Sequence, residues 1–310
     1  MTPDGAALAQ DLGELVRIPS VTGRERPAME RFAQLAERRG LRAEVIVHDL
    51  AALRAHPDHP GEEAAREELV GAEAVLPGRD PGAPRLCLNG HLDVVDPGEA
   101  RWSFDPWAGD VCDGRLRGRG AADMKGGVVA ALHALARLRA EGVRPRGDVV
   151  LQAVASEEDG GLGTFAALER DDRFAAALIP EPTAFDVVCA QAGALTFAGE
   201  VPGVGAHAAL RRQGISAIDR YVAIHAALHE HERRVNAGPG HPLMAELDLP
   251  YPVSVGRIEG GTWSSSVPDR LRFEGRVGIR VDDSPAGARA ALEAAVRAAC
   301  PEARLTWTGG

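Results

Sequence analysis

Apolar residues recur at helical spacing from the start of the chain. Leu8, Leu12, Leu15 and Val16 fall on one side of a helix expected over residues 4–16. A second helix is expected over 27–39, with Pro27 in its first turn, where a missing amide hydrogen is tolerated. Residues 43–48 read as a strand. The stretch 56–83 is rich in proline, glycine and acids. It is expected to hold a loop, a strand near 70–76 and a turn at 79–82, before a second strand at 85–89. Val129, Leu132, Leu135 and Leu138 mark one side of a helix over 126–140. Residues 148–155 alternate and then turn acidic, as in a strand that ends at a site, and 175–179 reads as a short buried strand. Strands and helices alternating in this way imply an α/β sheet with crossovers, in which ligands bind beyond the carboxyl ends of strands.

After Pro182 the texture changes. Paired strands are expected over 187–201, a helix over 215–235, strands over 251–258 and 271–281, and a helix over 285–299. Two helices on one antiparallel sheet make a compact α+β unit, with the boundary near Asp186.

A length of 310 residues exceeds the usual size of one domain and favours two. The net charge of −10 argues against a nucleic-acid partner, because a phosphate backbone rewards a basic face. No apolar run is long enough to span a bilayer, so no membrane association is expected. Residues 1–10 carry no basic segment followed by an apolar stretch, so no secretion signal is expected. Cys87, Cys112, Cys189 and Cys300 are scattered, which reads as reduced core residues of a cytoplasmic protein. Nearly all basic charge is arginine, and Lys125 is the only lysine.

Four short elements carry chemistry. His91 and Asp93 follow a strand two residues apart, so they share one face if the strand continues; the alternative is a strand-end histidine beside a solvated acid. Asp123 lies within a glycine-bearing run, 118–127, just before a helix, where it would project at the helix start or act as its N-cap. Glu157, Glu158 and Asp159 are adjacent after the 148–155 strand. Three neighbouring carboxylates repel one another at a dry site unless a divalent cation is present; a solvated acidic loop is the alternative. Glu181 stands between Pro180 and Pro182, whose fixed φ would hold it in place, or would merely shape a domain-junction turn. His91, Asp123, Glu158 and Glu181 are ligand types that a pair of zinc or cobalt ions accepts, with one carboxylate bridging, and Glu157 is left to take a proton.

With these elements in this order, the sequence resembles the acetylornithine deacetylases, succinyl-diaminopimelate desuccinylases and glutamate carboxypeptidases, a family of dinuclear zinc hydrolases. The likeness runs over essentially the whole chain from Ile18-Pro19-Ser20-Val21-Thr22, and rests on Gly90-His91-Leu92-Asp93-Val94-Val95, the 118–127 run and Glu157-Glu158. The resemblance implies an α/β, zinc-peptidase-like catalytic domain, a mixed sheet flanked by helices, with an inserted α+β dimerisation (lid) domain. It implies domain limits of 1–186 and 187–302, with 303–310 starting a return to the catalytic domain. It implies that His91 and Glu181 ligate one ion and Glu158 the other, that Asp123 bridges, that Asp93 orients His91, and that Glu157 is the general base. Water activated by both ions would attack an amide carbonyl. Gly205-Ala206-His207-Ala208-Ala209 matches the family's histidine motif, which implies that His207 helps to hold the oxyanion in the partner subunit of a homodimer. Residues 260–268 match a substrate-contacting segment in which many relatives have Asn where Ser265 stands, and Arg280 is a candidate clamp for a substrate carboxylate. His225 and His229 lie one helical turn apart, but a solvated helix face is the simpler reading.

Relatives carry a further histidine near the C-terminus as a ligand of the second ion, and no histidine follows His241 here. The expected function is a metal-dependent amidohydrolase acting on N-acyl amino acids. The alternatives are a dipeptidase or carboxypeptidase with the same machinery, and a shortened, catalytically impaired paralogue.

Overall fold

The computed structural model describes residues 3–99, 101–238 and 240–309. The chain divides into two units, Met1–Asp186 and Val187–Gly310.

In the first unit, α1 (Pro3–Val16) and α2 (Arg26–Arg38) precede β1 (Arg42–His48). α2 carries Pro27 in its first turn and buries Met29, Phe32, Ala33 and Ala36, the three-and-four spacing of an amphipathic helix. There follow α3 (Leu50–Ala55), β2 (Leu69–Leu76), β3 (Arg85–His91), and the hairpin strands β4 (Asp110–Cys112) and β5 (Arg115–Arg117). Then come α4 (Gly126–Ala140), β6 (Val149–Val154), α5 (Leu162–Arg170) and β7 (Phe174–Leu178). One mixed sheet runs in the order β1-β2-β6-β3-β7. The β1–β2 and β2–β6 pairs are antiparallel; β6–β3 and β3–β7 are parallel.

Alternation along β3 assigns the two faces of this sheet. Gly90 sits against Met124, just before α4, and Val128 in its first turn, while Asn89 on the other face accepts a hydrogen bond from Thr164 of α5. Helices therefore cover both faces, and the carboxyl ends of the parallel strands β3, β6 and β7 form the edge at which a site can be built.

Several expectations need correction. The 175–179 strand is present as β7 but is not buried: among the described residues it pairs with β3 alone, at the sheet edge, and Ala175 to Leu178 are exposed. Leu138 is 37% exposed, and the buried side of α4 is Val128, Val129, Leu132 and Leu135. Two helices were not foreseen. α3 is too short to show a period, although Asp49 caps it by accepting from the Ala52 amide at 3.0 Å. α5 follows Gly160 and Gly161, both at positive φ, directly after the acidic run.

The second unit contains β8 (Gly193–Pro202), β9 (Ala206–His207), α6 (Ala217–Asn236), β10 (Val253–Gly260), β11 (Ser266–Val267), β12 (Arg270–Ile279), α7 (Pro285–Ala299) and β13 (Arg304–Gly309). An antiparallel sheet runs in the order β10-β12-β8-β13, and β11 pairs with β9 separately. Ser216 and Ser284 cap α6 and α7. Phe197 and Phe273 meet edge to face in the core with centroids 6.1 Å apart, joined by Tyr221, Ile224 and Leu292. Instead of the paired strands expected over 187–201, only β8 forms there. Residues 304–309, read above within a return segment, form β13 of this sheet. Among the described residues, no helix is long and apolar enough to cross a membrane.

Candidate metal centre

His91 is the last residue of β3, in register with Val154 near the end of β6. The turn after β6 carries Glu157 and Glu158, and the segment after β7 carries Glu181. Asp123 enters from a third direction, in the turn Ala121–Lys125 that precedes α4. Asp123 has extended backbone angles, φ −114 and ψ 103, and a cis peptide bond to Met124. It is not the N-cap of α4, which is Lys125. Gly120 makes this turn possible: its φ is +77, and a side chain there would meet Val94 Cγ1 at 2.4 Å.

His91 is 1% exposed and Asp93 is fully buried. His91 Nδ1 lies 2.9 Å from the Asp93 carbonyl oxygen and 3.5 Å from its carboxylate. A carbonyl only accepts, so Nδ1 carries the hydrogen and Nε2 is the atom turned toward the acids. Around Nε2 stand Asp123 Oδ1 at 3.1 Å, Glu181 Oε1 at 3.8 Å and Glu157 Oε2 at 3.9 Å. His91, Asp123 and Glu158 each offer a ligand atom, all within 4.8 Å of one another. Asp93 also accepts the backbone amides of Glu157 and Glu158 at 3.3 and 3.2 Å, and the Thr22 hydroxyl at 3.2 Å. One buried residue, Asp93, thus anchors the imidazole through its carbonyl and the Glu157–Glu158 turn through its carboxylate. Thr22 lay within a motif already noted, but its partner is 71 residues away, and nothing local in the sequence pairs them.

The electrostatics show a site short of positive charge. Burial disfavours the imidazolium of His91, yet the hydrogen bond and charge of Asp93, with the charge of Glu157, outweigh it and push its pKa up to about 10. Burial raises the pKa values of Glu158 and Glu181; His91 offsets this in part, while Asp123 and Glu157 raise both further. An imidazole and several carboxylates that repel one another are a donor set that a divalent cation fits.

Asp159 does not join this cluster, contrary to the reading of three crowded acids. It is buried and paired with Arg66 at 2.8 Å. Lys125 is also outside it. Its side chain is fully buried, and Nζ donates to the carbonyls of Leu15 and Ile18 at 3.0 and 3.1 Å. Burial lowers its pKa to about 7, against the pull of Asp93.

In the second unit, His207 is exposed and its Nδ1 accepts from the Ala209 amide at 3.2 Å. The Ser265 carbonyl accepts from the Ala208 amide at 2.9 Å. His207 and Ser265 line a cavity of about 370 Å³ with Trp263 and Asp269. Arg280 holds Asp282 through Nε and Nη2 at 2.8 and 3.0 Å, and donates from Nη1 to the Val235 carbonyl at 3.0 Å. His225 and His229 meet edge to face at 4.5 Å on α6.

The profile of Peptidase family M20/M25/M40 matches residues 87–307. The chain belongs to this family. The matched span covers His91, Asp123, Glu157, Glu158 and Glu181, and runs through the second unit to β13. The M20 chain is 37% identical over 189 residues to a succinyl-diaminopimelate desuccinylase of Rhodospirillum centenum, covering 59% of this chain and 44% of that protein. It is 29% identical over 321 residues to a protein of the same name from Rhodopseudomonas palustris (strain BisA53), covering 99% of this chain and 76% of that one. Among solved structures, an M20 family metallo-carboxypeptidase from Sulfolobus solfataricus superposes with a TM-score of 0.70 at 15% identity, covering 100% of this chain and 78% of that one. At that identity the likeness concerns the fold alone.

Proposed function

We propose that this M20 chain is the metal-binding part of a hydrolase that cleaves the amide bond of N-acyl amino acids, with a dicarboxylic acyl group such as succinyl as the first candidate. The observation that carries the reading is the convergence of Asp123, Glu157 and Glu181 on Nε2 of a histidine held from behind by a fully buried Asp93. The desuccinylase name of the two relatives described above supports the substrate class.

His91, Asp123 and Glu181 would hold one divalent ion, zinc or cobalt, and Asp123 and Glu158 would contribute to a second. When bound, such ions supply the positive charge that polarises an amide carbonyl and acidifies water. The remaining work falls to the chain's own groups. Asp93 keeps the hydrogen on His91 Nδ1 through its carbonyl, which fixes Nε2 as the donor atom. Glu157, on the turn that Asp93 anchors, takes a proton from the attacking water and delivers it to the leaving amine. We further propose that residues 1–186 form the catalytic part and 187–302 a dimerisation lid. In that lid His207 would help to steady the oxyanion in the partner subunit of a homodimer, and Ser265 and Arg280 would contact substrate.

The test is zinc and cobalt stoichiometry by equilibrium dialysis, followed by hydrolysis assays with N-succinyl-diaminopimelate, N-acetylornithine and a dipeptide panel. Metal-dependent release of succinate from the first substrate is the expected result. Preference for dipeptides would move the chain to the peptidase reading, and failure to bind either ion would sink the proposal.

A further inference from the structure

Glu157 and Glu158 lie on a short turn, residues 156–161, between β6 and α5. The backbone there is unusual: Ser156, Gly160 and Gly161 all have positive φ. Such a turn does not hold two repelling carboxylates in place by itself. At the front, Asp93 accepts the amides of Glu157 and Glu158. At the back, Asp159 gathers four donors. It accepts from the Ser156 hydroxyl, from the amides of Glu63 and Ala64 at 3.2 and 2.9 Å, and from Arg66 Nη2 at 2.8 Å.

The Arg66 side chain is fully buried. Beyond Asp159 it reaches Glu25 at 3.4 Å and Glu62 at 3.3 Å. Glu25 in turn accepts the Gly23 amide at 2.7 Å, beside Thr22, whose hydroxyl donates to Asp93. The chain of contacts therefore closes on itself, from Asp93 through the turn, Asp159, Arg66 and Glu25 back to Asp93. A buried ion pair gives little stability over well-packed apolar residues, so stability alone is a weak reason for this one. Its geometry has a more specific consequence. Arg66 engages the third acid of the run and turns it away from the pair beside it, and it ties the turn to residues 62–66.

We propose that Asp159 and Arg66 are positioning residues that clamp the Glu157–Glu158 turn and so set the placement of both carboxylates in the metal centre. This rests on the metal-binding reading given under Proposed function.

The experiment uses the full chain and three variants: Arg66→Lys, Asp159→Asn, and the double variant Arg66→Met/Asp159→Leu, which removes both charges of the pair. Thermal unfolding is measured in chelator, zinc affinity by competition with a chromogenic chelator, and the cobalt-loaded protein by its visible absorption bands. The double variant is expected to bind zinc about 10- to 100-fold more weakly and to show altered cobalt bands. Arg66→Lys, which keeps the charge without the fork, is expected to fall between parent and double variant. A folded variant with parental zinc affinity and parental cobalt bands would overturn the clamp. If the double variant does not fold, Arg66→Lys decides by the same two readouts. A parent chain that binds neither ion would overturn the metal-binding reading, and the clamp with it; a parent that binds and variants that bind equally well would overturn the clamp alone.

Discussion

Gly127 lies directly against Pro180: a Cβ at position 127 would sit 2.1 Å from the Pro180 carbonyl oxygen. The second residue of α4 is thereby packed against the residue that precedes Glu181. This contact joins two elements of the centre that are more than fifty residues apart in the chain. Gly127→Ala has no flexible side chain to displace, only backbone. It is expected to cost about 1–3 kcal/mol in urea unfolding, and to weaken zinc binding by shifting Glu181. A folded variant with parental zinc affinity would show that this contact does not place Glu181.

Glu157→Gln keeps the shape of the side chain and removes its basicity. The variant is expected to retain its metal, measured by atomic emission, and to lose turnover by several orders of magnitude, as when a general base is removed. Unchanged hydrolysis would remove Glu157 from the proton-transfer role.

Asp123→Ala tests the bridge. Asp123 Oδ1 stands 3.1 Å from His91 Nε2 and shares a cluster with Glu158, so its loss is expected to abolish tight binding of both ions in equilibrium dialysis. Two ions bound at parental affinity would refute a bridging carboxylate at this position.

Asp11 tests the stability of the first unit. Its buried carboxylate meets Arg38 at 2.7 Å, Arg39 at 2.8 Å and His133 at 2.9 Å. Burial would raise its pKa, but the hydrogen bonds from Arg39 and His133 and the charges of Arg39 and Arg38 together hold it below the ordinary 3.8. A depressed carboxylate stabilises the fold above its unfolded pKa, and this is lost as pH falls through the folded value. Asp11→Asn is therefore expected to destabilise by about 3 kcal/mol near neutrality. The gap to the parent should start to close near pH 3.8 and shrink further below it. A gap that stays constant with pH in denaturant titrations would show that the charge of Asp11 contributes nothing.

The elements of the candidate centre were legible because each is a short contiguous motif at a strand end or helix start. His91, Asp123, Glu158 and Glu181 need only their immediate neighbours to be noticed. What the sequence concealed depends on distant partners. Arg66 lies in a stretch that reads as loop, and its carboxylate partner Asp159 is 93 residues away. Asp159 looked like a third acid of the site because its neighbours are acidic, whereas its environment is set by Arg66. The exposed β7 was misjudged for a related reason: an apolar run such as 175–179 signals a strand, but only the sheet order decides whether it is central or at an edge.

Lys125, the only lysine of the chain, is buried with its ammonium nitrogen between the carbonyls of Leu15 and Ile18. A lysine-specific endoprotease therefore has one cleavable bond, and that bond lies between Asp123 and the body of α4. Scission there requires this part of the fold to open, so the rate of appearance of two fragments reads directly how often the metal centre comes apart. Bound zinc should slow that cut, which makes the lone lysine an internal gauge of occupancy that needs no substrate.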